Sequence, residues 1–259
     1  MTSSSAQRVP RRNATQQSGS RRWLWLGVGL FALLILIRPP AALLGTLINS
    51  GPVSLEATEG TLWHGTGELW VRQQPAGNVE WVWLPAALLS GELGVDLRLF
   101  SAGMDVHGRI YLGLRERRVE HLNGNLDEET LARLLRPYDL AVNGRLQLAE
   151  LAARFGPSGY QQASGDIQWT GGLHAYRLQG RRFETQLPPL QGKLALRGNA
   201  LQLAARTSPF EAPMLKLALR PDGWFEAAAS RAFIELAGQP WPGASAPADI
   251  VLEVEEKLF

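Results

Sequence analysis

The stretch EGTLWHGTGELW, residues 59–70, sets Trp63 and His64 among Gly60, Gly65 and Gly67. An imidazole in a glycine-rich corner is a candidate metal ligand or general base, because histidine titrates near neutrality. The rest of the chain offers it no partners in sequence. The four histidines are His64, His107, His121 and His174, and none lies three or four residues from another, as a helical metal pair requires. The absence of cysteine excludes disulfides, thiolate metal sites and a cysteine nucleophile, and leaves the redox compartment open. No G-x-S-x-G nucleophile elbow and no phosphate-binding P-loop pattern occur. Gly65-x-Gly67 lacks the third glycine and the helix of a dinucleotide fingerprint. Glu128-Glu129 suits a helix N-terminus better than a catalytic carboxylate pair, and Arg181-Arg182 suits a solvated surface. The sequence therefore predicts a protein that is not an enzyme and uses no cofactor or metal, a histidine cluster assembled across strands being the alternative left open.

The tryptophans are more informative. Trp63, Trp70, Trp81, Trp83 and Trp169 all lie among strand-like segments. Trp81 and Trp83 are two apart and so share one face of a strand. A core role is favoured for them, because large aromatic rings bury much area. A surface for lipid or a protein partner is the alternative.

The elements that must position these rings are mainly β. Val95, Leu97 and Leu99 alternate with Asp96 and Arg98; Leu215, Leu217 and Leu219 alternate with Lys216 and Arg220; Ile250, Leu252 and Val254 alternate with Glu253 and Glu255. Such period-two patterns mark strands with one buried and one wet face. A glycine followed by a polar residue and then apolar ones recurs at Gly67, Gly91, Gly108, Gly144, Gly165 and Gly192. The spacing is too irregular for a fixed-period repeat and predicts an antiparallel meander, with glycines at bulges or positive φ near strand starts. One helix is predicted over 127–136, capped by Asp127 and stopped by Pro137, and a short helical turn over 85–90, opened by Pro85 and closed by Gly91. Residues 156–160 and 238–249 read as loops, the first dividing the body into two halves.

The chain has 259 residues and a net charge of +2. Arg8, Arg11, Arg12, Arg21 and Arg22 all precede the first acidic residue, Glu56; without them, 21 basic residues face 24 acidic ones. The basic pI thus reports a tail rather than a phosphate-binding face, and nucleic acid is not an expected partner. After the tail comes WLWLGVGLFALLILI, residues 23–37, without charge or proline. It is short for a membrane span. Arg21, Arg22 and Arg38 can extend it by placing their charges at the interface, where Trp23 and Trp25 also belong. A cleaved signal peptide is the rival reading, but Arg38-Pro39-Pro40 follows directly and no small-x-small cleavage site appears. The arginine bias predicts a cytoplasmic tail over 1–22, a single transmembrane helix with its juxtamembrane segment over 23–48, and a β-rich domain over 49–259 on the other side.

Gly60-Thr61-Leu62-Trp63-His64-Gly65 resembles the G-T-x-W-x-G motif of the type II secretion system protein N family. Trp81-x-Trp83-x-Pro85, followed by Leu88-Leu89-x-Gly91, is similar to that family's next signature. The resemblance implies a single-pass inner-membrane protein of a Gram-negative bacterium with its bulk in the periplasm. It would be a non-enzymatic accessory of the machine that exports folded proteins across the outer membrane. Its expected partners are the inner-membrane platform proteins or the outer-membrane secretin. The family also looks similar to AsmA-like envelope proteins, which implies a curved or partly open sheet and, as an alternative function, binding or transfer of lipid in a hydrophobic groove. Under this resemblance Gly60 and Gly65 bracket a strand that carries Trp63, with His64 on the opposite face.

Overall fold

The computed structural model describes residues 23–30, 38–48, 53–71, 73–135, 141–178 and 181–257. Residues 23–30 form a helix, α1, with exposed side chains, including Trp23 and Trp25. Arg21, Arg22 and residues 31–37 lie outside the described residues. Among the described residues no helix is long and apolar enough to cross a membrane.

The first six strands follow one another as antiparallel neighbours. They are β1 (Val53–Gly60), β2 (His64–Val71), β3 (Gln74–Leu84), β4 (Glu92–Ser101), β5 (Met104–Gly113) and β6 (Arg117–Leu126). After helix α3 (Glu128–Leu135) and the two-residue β7 (Ala141–Val142), the sheet resumes with β8 (Leu146–Gly156) and β9 (Gly159–Trp169). The chain then leaves for β10 (Gly172–Leu178) and β11 (Arg181–Leu187). It returns through β12 (Leu190–Arg197), β13 (Ala200–Arg206), β14 (Leu215–Leu219) and β15 (Trp224–Ser230). Helix α4 (Arg231–Leu236) and the edge strand β16 (Ile250–Lys257) complete the order. The main sheet has 13 strands, with β1 and β16 at its edges, and β11, β10 and β7 form a second, three-stranded sheet. Every strand pairing is antiparallel. The meander expected from the period-two pattern is therefore present. Its course is interrupted twice, by the β7 and β10–β11 excursions, for which the sequence carries no clear mark. Pro157-Ser158 makes a tight hairpin between β8 and β9, and the main sheet continues through it.

Most strand positions are only half-buried, and two clusters concentrate the packing. One joins Ala41, Leu55 and Trp81, with Leu44, Val79, Trp83, Val95 and Leu97 against them. Here helix α2 (Ala42–Ile48) lies on the first edge of the sheet. The stretch from Pro39 to Leu44 thus packs with the β body, although the apolar pattern alone groups it with the anchor. The second cluster joins Leu131, Trp169 and Leu187, with Leu135, Val142, Leu146, Leu190 and Leu236. It fills the space that α3, α4 and the small sheet share with the main one. Helix α3 runs as its sequence predicts: Asp127 Oδ1 accepts from the Thr130 amide at 2.8 Å, and Leu131 is buried.

Three of the recurrent glycines share one structural duty. Gly67, Gly108 and Gly165 each stand opposite two residues of the neighbouring strand: Ala57-Thr58, His121-Leu122 and Glu150-Leu151. The first residue of each of these pairs has positive φ, +47° at Ala57, +50° at His121 and +48° at Glu150. The extra residue pushes the bulged strand toward its partner. A Cβ on Gly108 would lie 3.0 Å from Leu122 Cα, and one on Gly165 2.6 Å from Leu151 Cα. The glycines are thus mid-strand and face the bulges, rather than forming bulges near strand starts as the sequence suggests.

Candidate functional site

The Gly60–Gly65 stretch folds as a turn. Gly60 and Gly65 are register partners, and the four residues between them reverse the chain from β1 to β2. Gly60 takes φ +92°, and a Cβ there would stand 2.7 Å from the His64 carbonyl oxygen. The Thr61 amide donates to that oxygen at 2.8 Å, and the His64 amide donates to Thr61 Oγ1 at 3.2 Å. Thr61 therefore closes the turn with both its backbone and its hydroxyl.

Trp81, on β3, supplies the floor. It pairs with Gly65 across the ladder and is 3% exposed. Its indole nitrogen donates to the carbonyl oxygens of Thr61 and Leu62, both at 3.2 Å. A buried indole N–H needs such an acceptor. A Cβ on Gly65 would lie 2.6 Å from Trp81 Cζ2, and closer still to the Glu59 carbonyl oxygen. Only glycine leaves room for the ring.

Trp63 is not on a strand with His64 on the opposite face, as the motif alone suggests. It sits at the turn tip and is 38% exposed. Its carbonyl accepts from the Trp83 amide at 2.7 Å, and its ring meets Trp83 edge to face at 5.5 Å. Positive φ at Gly60 takes the chain out of the β1 ladder before Trp63 is reached, which is why strand alternation fails here. His64 is exposed at the first position of β2, with Nδ1 3.3 Å from Thr61 Oγ1.

The same turn holds the segment that enters the body. The Leu62 amide donates to the Pro39 carbonyl at 2.8 Å, the Ala41 amide donates to the Gly60 carbonyl at 3.2 Å, and Pro40 and Thr61 form an isolated bridge. Leu44 then packs on the cluster containing Trp81. Pro85 opens a 3₁₀ turn over Pro85–Ser90, and Gly91 ends it at φ +74° with its amide donating to Leu88. Arg38 is exposed at the start of this segment. Nothing in the residue types of Pro39–Ala41 marks them as the turn's partner, and sequence reasoning misses them.

The polar chemistry is dispersed. Among the described residues no group of three or more His, Asp or Glu could hold a metal ion. His64, His107, His121 and His174 lie on β2, β5, β6 and β10. His121 Nδ1 meets Glu150 Oε2 at 2.6 Å, and Asn123 Nδ2 donates to Glu150 Oε1 at 2.8 Å. These partners, Asn123 foremost, hold the Glu150 carboxyl below its ordinary range. Both ends of the His121–Glu150 pair are exposed, and it fastens two adjacent bulges. A cavity of about 730 Å³ opens at the far ends of the middle strands, lined by Met104, Leu126, Arg145, Leu146, Gln147 and Trp169 among others. Its walls mix apolar and polar groups and single out neither an acyl chain nor a charged ligand.

The arrangement can brace and present a surface. Two tryptophans and two glycines lock a turn, and that turn locks the incoming segment. The family model for type II secretion system (T2SS), protein N, matches residues 51–243. No match was found to a curated protein or to a solved structure. With the match running from the strand before the turn to the loop before β16, the chain belongs to the type II secretion system protein N family.

Proposed function

We propose that this protein is a non-enzymatic accessory subunit of the type II secretion apparatus, held in the bacterial inner membrane by one N-terminal helix with its sheet in the periplasm. One observation carries the reading, the family match over residues 51–243, and the G-T-x-W-x-G stretch within it is taken up in packing and chain reversal. Such a motif works by holding surfaces in place. The uncharged run over residues 23–37, preceded by five arginines, supports the membrane placement. Residues 23–30 are helical, in keeping with it. The partners are other components of the apparatus, in the inner-membrane platform or the outer-membrane secretin.

The test is made in cells with the full chain. Photocrosslinkers placed on exposed strand positions, such as Glu68 and Arg109, should capture subunits of the secretion apparatus at their natural levels. Repeated capture of none would count heavily against the assignment. A reporter fused after Lys257 that is active only in the periplasm should be active; activity of a cytosol-only reporter there would overturn the topology.

A further inference from the structure

The two ends of the main sheet differ in what their turns carry. At the end where β1 meets β2, each tip over the first six strands exposes a large apolar side chain. Trp63 is 38% exposed, Leu88 55%, Leu89 93% and Leu114 102%. The turns farther along that same end read Pro157-Ser158, Gly198-Asn199 and Pro221-Asp222-Gly223. At the opposite end, the hairpins of the first strands carry Gln73 and Ala102-Gly103. Turns ordinarily take glycine, proline, asparagine, aspartate or serine. Exposed leucines at two successive tips therefore need a reason.

Their position supplies one. Pro39, Pro40 and Ala41 are bonded to the β1–β2 turn at this end, so the run over residues 23–37 joins the body here. Adjacent strands lie about 4.8 Å apart, so the tips of the β1–β2, β3–β4 and β5–β6 connections are spaced roughly 10 Å from one to the next. Arg38 and Arg115 are exposed beside them, and the one carboxylate in these three tips, Glu116, faces Arg154 at 3.9 Å. Leucines in front, a tryptophan at the margin and arginines around them are the composition of a surface that enters the headgroup region of a bilayer.

We propose that this end of the sheet is a lipid-contacting foot, in which Leu88, Leu89 and Leu114 dip into the membrane surface beside the anchor, with Trp63, Arg38 and Arg115 at the headgroup level. The inference rests on the membrane anchoring proposed above. It adds that the sheet stands on the bilayer by its first three turns and does not merely hang from a tether.

The chain contains no cysteine, so single-cysteine labels can be placed without background. The full chain, carrying Leu89→Cys, Leu114→Cys or Gln73→Cys labelled with an environment-sensitive fluorophore, is reconstituted into vesicles of phosphatidylethanolamine and phosphatidylglycerol. Flotation after alkaline carbonate washing reports the anchor; failure to float would sink the anchoring reading and the foot with it. In protein that floats, labels at 89 and 114 should be quenched by lipid-borne quenchers and resist dithionite added outside, while the label at Gln73 should be reduced at once. Labels at 89 and 114 as accessible as Gln73 would overturn the foot and leave the anchor standing. Labels shielded from dithionite but not quenched from the lipid, with disulfide-linked dimers of the unlabelled Leu114→Cys chain, would show a second copy on this surface and overturn the foot equally.

Discussion

Gly65 lies directly across the β2–β3 ladder from Trp81, and the indole occupies the space that a methyl group on Gly65 would need. The glycine and the tryptophan belong to two separate signatures of the chain, 16 residues apart in sequence. The fold makes them one contact, and Trp81 then reaches past Gly65 to the carbonyls of Thr61 and Leu62. The turn, the strand behind it and the segment from Pro39 depend on that ring together.

Trp81→Ala is accordingly the most damaging substitution expected in this region. It removes a buried ring and strands two carbonyl acceptors, and costs about 3–5 kcal/mol. Gly65→Ala forces the ring or the Glu59 carbonyl aside and costs about 1–3 kcal/mol. Chemical denaturation of the purified protein should rank them in that order. A Gly65→Ala protein as stable as the parent would show that the ring does not occupy this position.

Trp63→Ala and His64→Ala separate packing from chemistry at the same turn. Trp63 is half out of the fold, so its loss costs about 1–2 kcal/mol, from partial burial and the edge-to-face contact with Trp83. His64 is exposed and contributes one long contact to Thr61, so its replacement leaves stability and secretion of a type II substrate nearly unchanged. A strong secretion defect in a stably expressed His64→Ala strain would show that the imidazole acts and that the packing account of the motif is incomplete.

How far these relationships are visible before folding depends on their range. The strand pattern, the α3 cap at Asp127 and the Pro85–Gly91 turn follow from neighbours in sequence and are legible there. Trp81 and Trp83 do share a face, as a period of two requires, and both join the first core cluster. The docking of Pro39–Ala41 on Gly60 and Leu62 is set by backbone hydrogen bonds, which leave no mark on residue type. The bulges at Ala57, His121 and Glu150 are also hidden, because an ordinary residue is held at positive φ by its neighbours; only the glycine opposite each one shows. The second sheet escapes for a similar reason: β7 is two residues long and exists because β10 lies beside it.

Ala57 offers a direct test of the bulges. It is exposed, and its φ of +47° suits glycine better than alanine. Relief of left-handed strain, about 1–2 kcal/mol, outweighs the extra chain entropy of glycine, about 0.5–1 kcal/mol. Ala57→Gly should therefore stabilise the protein slightly, whereas Gly67→Val on the facing strand should destabilise it, since even a Cβ there would lie 3.0 Å from Leu55 Cδ1. Opposite shifts in the midpoint of thermal unfolding are expected, and shifts of the same sign would contradict the pairing of bulge with glycine.

Acid stability should follow the carboxylates that the fold holds charged. The Asp127 carboxyl lies below its ordinary value because it accepts the Thr130 amide, and Glu150 lies below its own because Asn123 and His121 bond to it. A folded-state pKa below the unfolded one means that the contribution is fully present above the usual carboxylate range, about pH 4. It is then lost as the pH falls through the depressed values. Between pH 7 and 5 these two groups leave stability flat; below about pH 4 the helix cap and the clasp between the two bulges both weaken. Asp127→Asn keeps an oxygen acceptor for the cap but cannot titrate, and Glu150→Gln likewise keeps an acceptor for Asn123. The double variant should begin less stable at pH 7 and lose less of its stability on acidification, as read from urea midpoints across the pH range. An acid dependence as steep as the parent's would mean that other carboxylates govern it.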